Sequence, residues 1–114
     1  PYIFVEPEIA RGTQGVKNVM SYLGMTDDPP NTTPARWLDR SRWLRVPQGQ
    51  GGIYLPTVAV GDEVQAGQLL ATITDPITNE VHEIRAADDG VVIGMALPQV
   101  VLSGFALLHV GEVK

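Results

Sequence analysis

Two histidines, His82 and His109, are the side chains of this 114-residue sequence whose ordinary chemistry fits metal ligation or proton transfer near neutral pH. His82 is followed by Glu83, but 27 residues separate the two histidines and no third ligand recurs at metal-binding spacing, so they make a poor metal set. Each reads as a surface or satisfied strand residue. Asp88-Asp89-Gly90 has the composition of a turn, with too few neighbouring carboxylates for calcium. Arg36, Trp37, Arg40, Arg42, Trp43 and Arg45 form a basic and aromatic cluster. It suits an anionic ligand, but guanidinium stacked on indole at a domain seam is the favoured reading. Cysteine is absent, which removes disulfides, thiolate ligands and a cysteine nucleophile together, and fits a reducing, cytoplasmic setting.

These groups must be positioned by a chain whose character changes along its length. Residues 1–47 carry six basic and five acidic side chains, whereas residues 48–114 carry two basic and eight acidic. An acidic half repels phosphates, so nucleic acid is excluded as a partner. Apolar runs such as Val91-Val92-Ile93 are strand-sized, far below the roughly 20 residues of a membrane span, and no membrane association is expected. Tyr2-Ile3-Phe4-Val5 reads as a buried strand, and Val16, Val19, Met20 and Leu23 mark one face of a helix starting near Thr13 as N-cap and ending at Gly24. The sequence opens at Pro1 without an initiator Met, and one strand with one helix makes no core. Residues 1–25 are therefore expected to be the last βα unit of an α/β domain lying upstream.

Residues 26–34 hold three prolines and no apolar side chain, which makes 26–47 a linker plus a first strand, placed at Arg42 to Val46. From Gly51 onward the pattern is all β. Within it Val64-Gln65-Ala66-Gly67 followed by Leu69-Leu70 and Ile73 recurs as Val101-Leu102-Ser103-Gly104 followed by Leu107-Leu108 and Val110. The spacing of 37 residues predicts two similar β-units, related by a pseudo-twofold axis and packed face to face. Gly61-Asp62 and Gly67 supply the turns, Val64 returns inward, and Leu69-Leu70 start the next core strand.

At these residues two resemblances appear. Val60-Gly61-Asp62-Glu63-Val64-Gln65-Ala66-Gly67-Gln68-Leu69-Leu70, with Ala86-Ala87-Asp88-Asp89-Gly90-Val91-Val92 downstream, resembles the barrel-sandwich hybrid fold of biotinyl and lipoyl carrier domains. More specifically, residues 48–114 resemble the C-terminal β-domain of the succinylglutamate desuccinylase and aspartoacylase family, and Gly15-Val16-Lys17-Asn18-Val19-Met20 with Leu23-Gly24-Met25 is similar to the helix that ends that family's catalytic domain. The resemblance implies a mainly β chain: a barrel-sandwich hybrid domain preceded by a βα remnant of a zinc carboxypeptidase-like catalytic domain.

It further implies that the parent hydrolyses an amide of an N-acyl amino acid or similar small molecule, using zinc and a glutamate general base. The family's zinc ligands, a His-x-x-Glu pair and a later His, precede the region matched here, so this chain alone is expected to be inactive. The family's base sits at a strand end shortly before the matched helix, and Glu6 is its counterpart by position, with Glu8 as competitor. The family follows that glutamate with glycines, where this chain has Pro7-Glu8-Ile9-Ala10-Arg11-Gly12. Attached biotin or lipoate is excluded on chemical grounds, because the lysines are Lys17 and Lys114 and none lies in the hairpin Asp75–Glu80. A non-catalytic binding or adaptor module is the alternative. The expected partners are the substrate and the chain's own upstream catalytic domain, with room for a homo-oligomer.

Overall fold

The structure is a computed structural model and describes residues 5–113. It divides into two compact units, one up to Arg36 and one from Trp37. In the first, helix α1 spans Glu6–Tyr22, with Val5 as N-cap and a proline in its opening turn. The helix therefore starts a full two turns before Thr13. Pro7 explains why: its fixed φ and missing N–H suit the first helical positions, where the N–H would be unpaired in any case. Thr13 is not a cap; its hydroxyl donates to the Ile9 carbonyl at 2.9 Å, one turn back. The C-terminal end does follow expectation. Gly24 N–H donates to Ser21 O and Met25 N–H to Met20 O, both at 2.9 Å, the paired bonds of a Schellman motif. Of the strand expected at residues 2–5, residues 2–4 lie outside the described residues, and Val5 is extended at φ −101° and ψ 100°.

The second unit holds β1 (Leu38–Arg45), β2 (Gly52–Pro56), β3 (Glu63–Val64), β4 (Leu69–Thr74), β5 (Val81–Arg85), β6 (Gly90–Met95), β7 (Gln99–Val101) and β8 (Ala106–Val113). They form two antiparallel four-stranded sheets, ordered β1-β8-β6-β3 and β5-β4-β2-β7. β1 begins at Leu38, four residues before the expected Arg42. The whole segment pairs with β8, from Leu38 opposite Val113 to Arg45 opposite Ala106, and this long-range pairing overrides a local sequence with no clear strand period.

Exchanging β1 with β5, β8 with β4, β6 with β2 and β3 with β7 converts one sheet order into the other. The twofold relation holds down to single hydrogen bonds. Gly67 N–H donates to Ala86 O at 2.8 Å, and Ala86 N–H to Gln68 O at 2.9 Å; Gly104 N–H donates to Val46 O and Val46 N–H to Phe105 O, both at 2.9 Å. Gly67 and Gly104 have φ of 82° and 81°, a region that a side chain strains. Even the flanking arginines correspond, Arg85 Nη1 donating to Gly67 O at 2.8 Å and Arg45 Nη1 to Gly104 O at 3.0 Å. Between the sheets lies one apolar core in which Tyr54, Leu70, Ile73, Val92, Leu107 and Leu108 are fully buried. No charged residue is buried among the described residues.

Candidate functional site

Glu6 and Glu8 both stand in the first turn of α1 and are exposed to solvent. Glu6 is thus the first residue of a helix rather than the last of a strand. Carboxylates are stabilised there, because the opening turn presents unpaired backbone N–H groups and the positive end of the helix dipole. The two differ in their surroundings. Glu8 pairs with Arg11 at 3.2 Å, one turn along the helix, whereas Glu6 has no ion-pair partner among the described residues.

Further along, the later turns of α1 and the segment that follows it border an open groove of about 420 Å³, lined among others by Gln14, Lys17, Asn18, Thr26 and Asp28. Asn18 organises it. Its Nδ2 donates to the Asn31 carbonyl at 2.8 Å and its Oδ1 accepts from Asn31 N–H at 2.9 Å, the way a neighbouring strand would pair. Gln14 Nε2 also donates to Asn18 Oδ1, at 2.9 Å. Ser21 Oγ adds a bond to the Asp28 carbonyl at 2.7 Å. These amides and the Ser21 hydroxyl tie the proline-rich segment to the helix, and the bonds shown are structural.

The histidines fall on opposite sheets. His109 lies opposite Trp43, and the two rings stack with centroids 4.2 Å apart and planes 10° from parallel. His109 Nε2 is within hydrogen-bond distance of Ser41 Oγ, at 2.9 Å. His82 stands in β5 opposite Ile73. No three His, Asp or Glu side chains come together to hold a metal among the described residues. The arginine cluster is also dispersed, and the indole of Trp43 stacks on an imidazole, not on the guanidinium expected. Arg40 pairs with Glu112 and Arg42 with Asp88, both at 3.5 Å, while Arg45 binds a backbone carbonyl. Partners in β8, the Asp88-Asp89 turn and the Gly104 turn engage these arginines separately, so they do not converge. Asp89 is a turn residue as expected, its Oδ1 accepting Ala66 N–H at 2.8 Å.

The β4–β5 connection, Asp75 to Glu80, is rigidly built. Asp75 Oδ1 accepts N–H of Ile77 at 2.8 Å and of Thr78 at 3.3 Å, and Asn79 takes a positive φ of 61°. The Ile77 bond first, and the Thr78 bond after it, hold the Asp75 carboxyl below its ordinary range. The tip so presented is Ile77, almost fully exposed, with no amine to carry a prosthetic group.

Gly52-Ile53-Tyr54-Leu55 is a continuous apolar run instead of an alternating one, the signature of a strand apolar on both faces. In the structure Tyr54 points into the core while Ile53 and Leu55 are exposed.

No protein-family model and no curated protein matches the chain. Solved structures do. The product-bound ectoine utilization protein EutE of Ruegeria pomeroyi superposes with a TM-score of 0.81 at 22% identity, over 97% of this chain and 35% of that one. A succinylglutamate desuccinylase/aspartoacylase from Rhodobacter sphaeroides gives 0.80 at 24%, over 98% and 37%. A succinylglutamate desuccinylase from a Silicibacter species gives 0.78 at 26%, over 98% and 35%. The chain thus spans about a third of the length of the proteins it matches.

Proposed function

We propose that this chain, which has the fold of about a third of a succinylglutamate desuccinylase/aspartoacylase family protein, is the C-terminal portion of a zinc-dependent deacylase acting on an N-acyl amino acid or similar small amide. The observation that carries this reading is the extent of the match, which runs through 97–98% of the chain and so through both the helical unit and the β-domain. On this reading residues 1–25 end the catalytic domain, 26–47 are linker and first strand, and that strand, β1, completes with residues 48–114 a barrel-sandwich hybrid domain, an assignment supported by the exchange of β3 and β7 between twofold-related sheets.

The described residues do not fit a zinc ion, so the metal of this proposal would be held by residues outside them. What this chain would contribute is Glu6, as the general base that takes a proton from the attacking water. Its place at the head of α1, with Glu8 already engaged by Arg11, supports Glu6 over Glu8. No helix among the described residues is long and apolar enough to cross a membrane, and a cytoplasmic location is proposed from the cysteine-free composition.

The test compares the 114-residue chain with the intact protein. Metal analysis and a panel of N-acyl amino acids should find bound zinc and deacylation in the intact protein and neither in the chain alone. An intact protein without deacylase activity would leave the adaptor reading, and a chain that retained stoichiometric zinc and turned over substrate would place the catalytic set inside these residues.

A further inference from the structure

Helix α1 buries none of its residues, although it carries a complete apolar stripe. Val5 at the N-cap, then Ile9, Val16, Val19 and finally Leu23 at the C-cap recur at spacings of three, four and seven residues, one face of a 3.6-residue period. They are between 45% and 63% exposed. The opposite face of the helix is already engaged. Gln14, Asn18 and Ser21, which bond one another or the proline-rich segment, each stand two positions beyond Gly12, Val16 and Val19, about half way round the helix. Gly12 itself lies within the apolar stripe, four residues before Val16 and seven before Val19. A glycine inside a helix weakens it relative to alanine. Nothing lies within 4 Å of the place a Cβ would take at Gly12, so within this chain the missing side chain makes room for nothing.

We infer that the stripe of Ile9, Gly12, Val16, Val19 and Leu23 seats an apolar β-sheet face belonging to the part of the intact protein outside this chain, and that Gly12 lets this sheet approach the helix backbone closely. The inference rests on the reading of the chain as a portion of a longer deacylase, and adds to it the covered face and the contact residue. Two observations select this occupant. The chain covers only 35% and 37% of the structures it matches, so most of such a protein is available to cover the stripe. Val5, the residue through which the chain enters α1, is extended, as at the exit of a strand in a strand–helix unit. Such units lay the apolar stripe of the helix across their sheet. A glycine in that stripe is then a close-approach position, since a methyl group there would hold the two surfaces apart.

Gly12→Ala tests this by a change of sign between two forms of the protein. In the 114-residue chain it should raise the melting temperature of the helical circular dichroism signal, because it adds helix propensity and meets nothing. In the intact protein the same methyl group should meet the sheet and lower the melting temperature. Ala10→Gly, two positions before Gly12 and so on the opposite side of the helix, should lower it in both forms. Amide hydrogen exchange gives a reading without substitution: residues 10–20 should exchange at least about a hundredfold more slowly in the intact protein than in the chain. Gly12→Ala stabilising both forms, or α1 amides exchanging equally fast in both, would overturn the proposal even in an active deacylase. A chain that dimerised in sedimentation velocity and lost this on Val16→Asp would give the stripe to a second copy and overturn it as well. An intact protein that showed the inversion but no deacylation would keep this contact and refute only the functional reading.

Discussion

Tyr54 is the largest side chain of the core and is fully buried, yet its hydroxyl has no hydrogen-bond partner among the described residues. A buried hydroxyl without a partner costs about 1–3 kcal/mol in proteins, because the water it gave up is not replaced. Tyr54→Phe keeps the ring in the core opposite Ile73 and removes only the orphan oxygen. The expected outcome is a gain of about 1 kcal/mol, or roughly 4–8 °C in melting temperature for a domain of this size. Tyr54→Ala is the opposite control, since losing a buried aromatic ring costs about 3–5 kcal/mol. Urea titration followed by tryptophan emission reports both, because Trp37 and Trp43 are untouched. The pH dependence sharpens the test. Burial pushes the Tyr54 phenol above its ordinary value of 10.0, so the unfolded chain ionises first as pH rises. Stability is therefore intact below pH 10 and declines as pH climbs from there toward the folded-state value, and Tyr54→Phe should flatten that part of the decline. A Phe variant less stable than the parent would mean that the hydroxyl is bonded, through a buried water to the equally orphaned Oε1 of Gln50 for example, and the argument from an unpaired group would fail.

The twofold relation predicts paired costs: Gly67→Ala and Gly104→Ala should each destabilise by about 1 kcal/mol, and denaturation showing one harmless and one severe would break the equivalence. In the intact protein Glu6→Gln should lower turnover about 10²–10⁴-fold with unchanged fold, whereas Glu8→Gln should be mild; the reverse result would shift the assignment by two residues. Asp75→Ala should loosen the β4–β5 connection above about pH 3.8, and the difference from the parent should vanish as pH falls below that value and the carboxyl of the parent protonates. Thermal melts at pH 7 and at pH 2.5 check it.

The repeated glycines, the inward valines and the helix end at Gly24 were legible in the sequence because each is a local device whose geometry only a few residues satisfy. The helix start was not. Gly12 and Gly15 dilute the apolar period before Val16, and a proline after an apolar run reads as a strand exit as readily as a first helical turn. Nor was β1, whose Arg-rich sequence becomes a strand only through β8, far along the chain. The matching roles of Arg45 and Arg85 were hidden for a related reason: they precede Val46 and Ala86, which share no sequence pattern and are equated only by the bonds they make to the two glycine turns. At the candidate site, Glu6 came from family resemblance, and the residues alone mark it as no more than a first-turn carboxylate.

The pairing of β1 with β8 has a consequence in time. Leu38 meets Val113, so the strand that begins the domain must wait for the strand that ends it. Until the last residues of β8 leave the ribosome, that sheet cannot close, and β1 and β6 each wait with an unpaired edge exposed to other nascent chains. Contacts this distant in sequence also slow the search for the native state, since chain entropy is lost before the pairing repays it. A version of the domain cut at residue 48 would leave the β8 edge unguarded permanently, and its recovery in soluble form would depend on restoring residues 38–46.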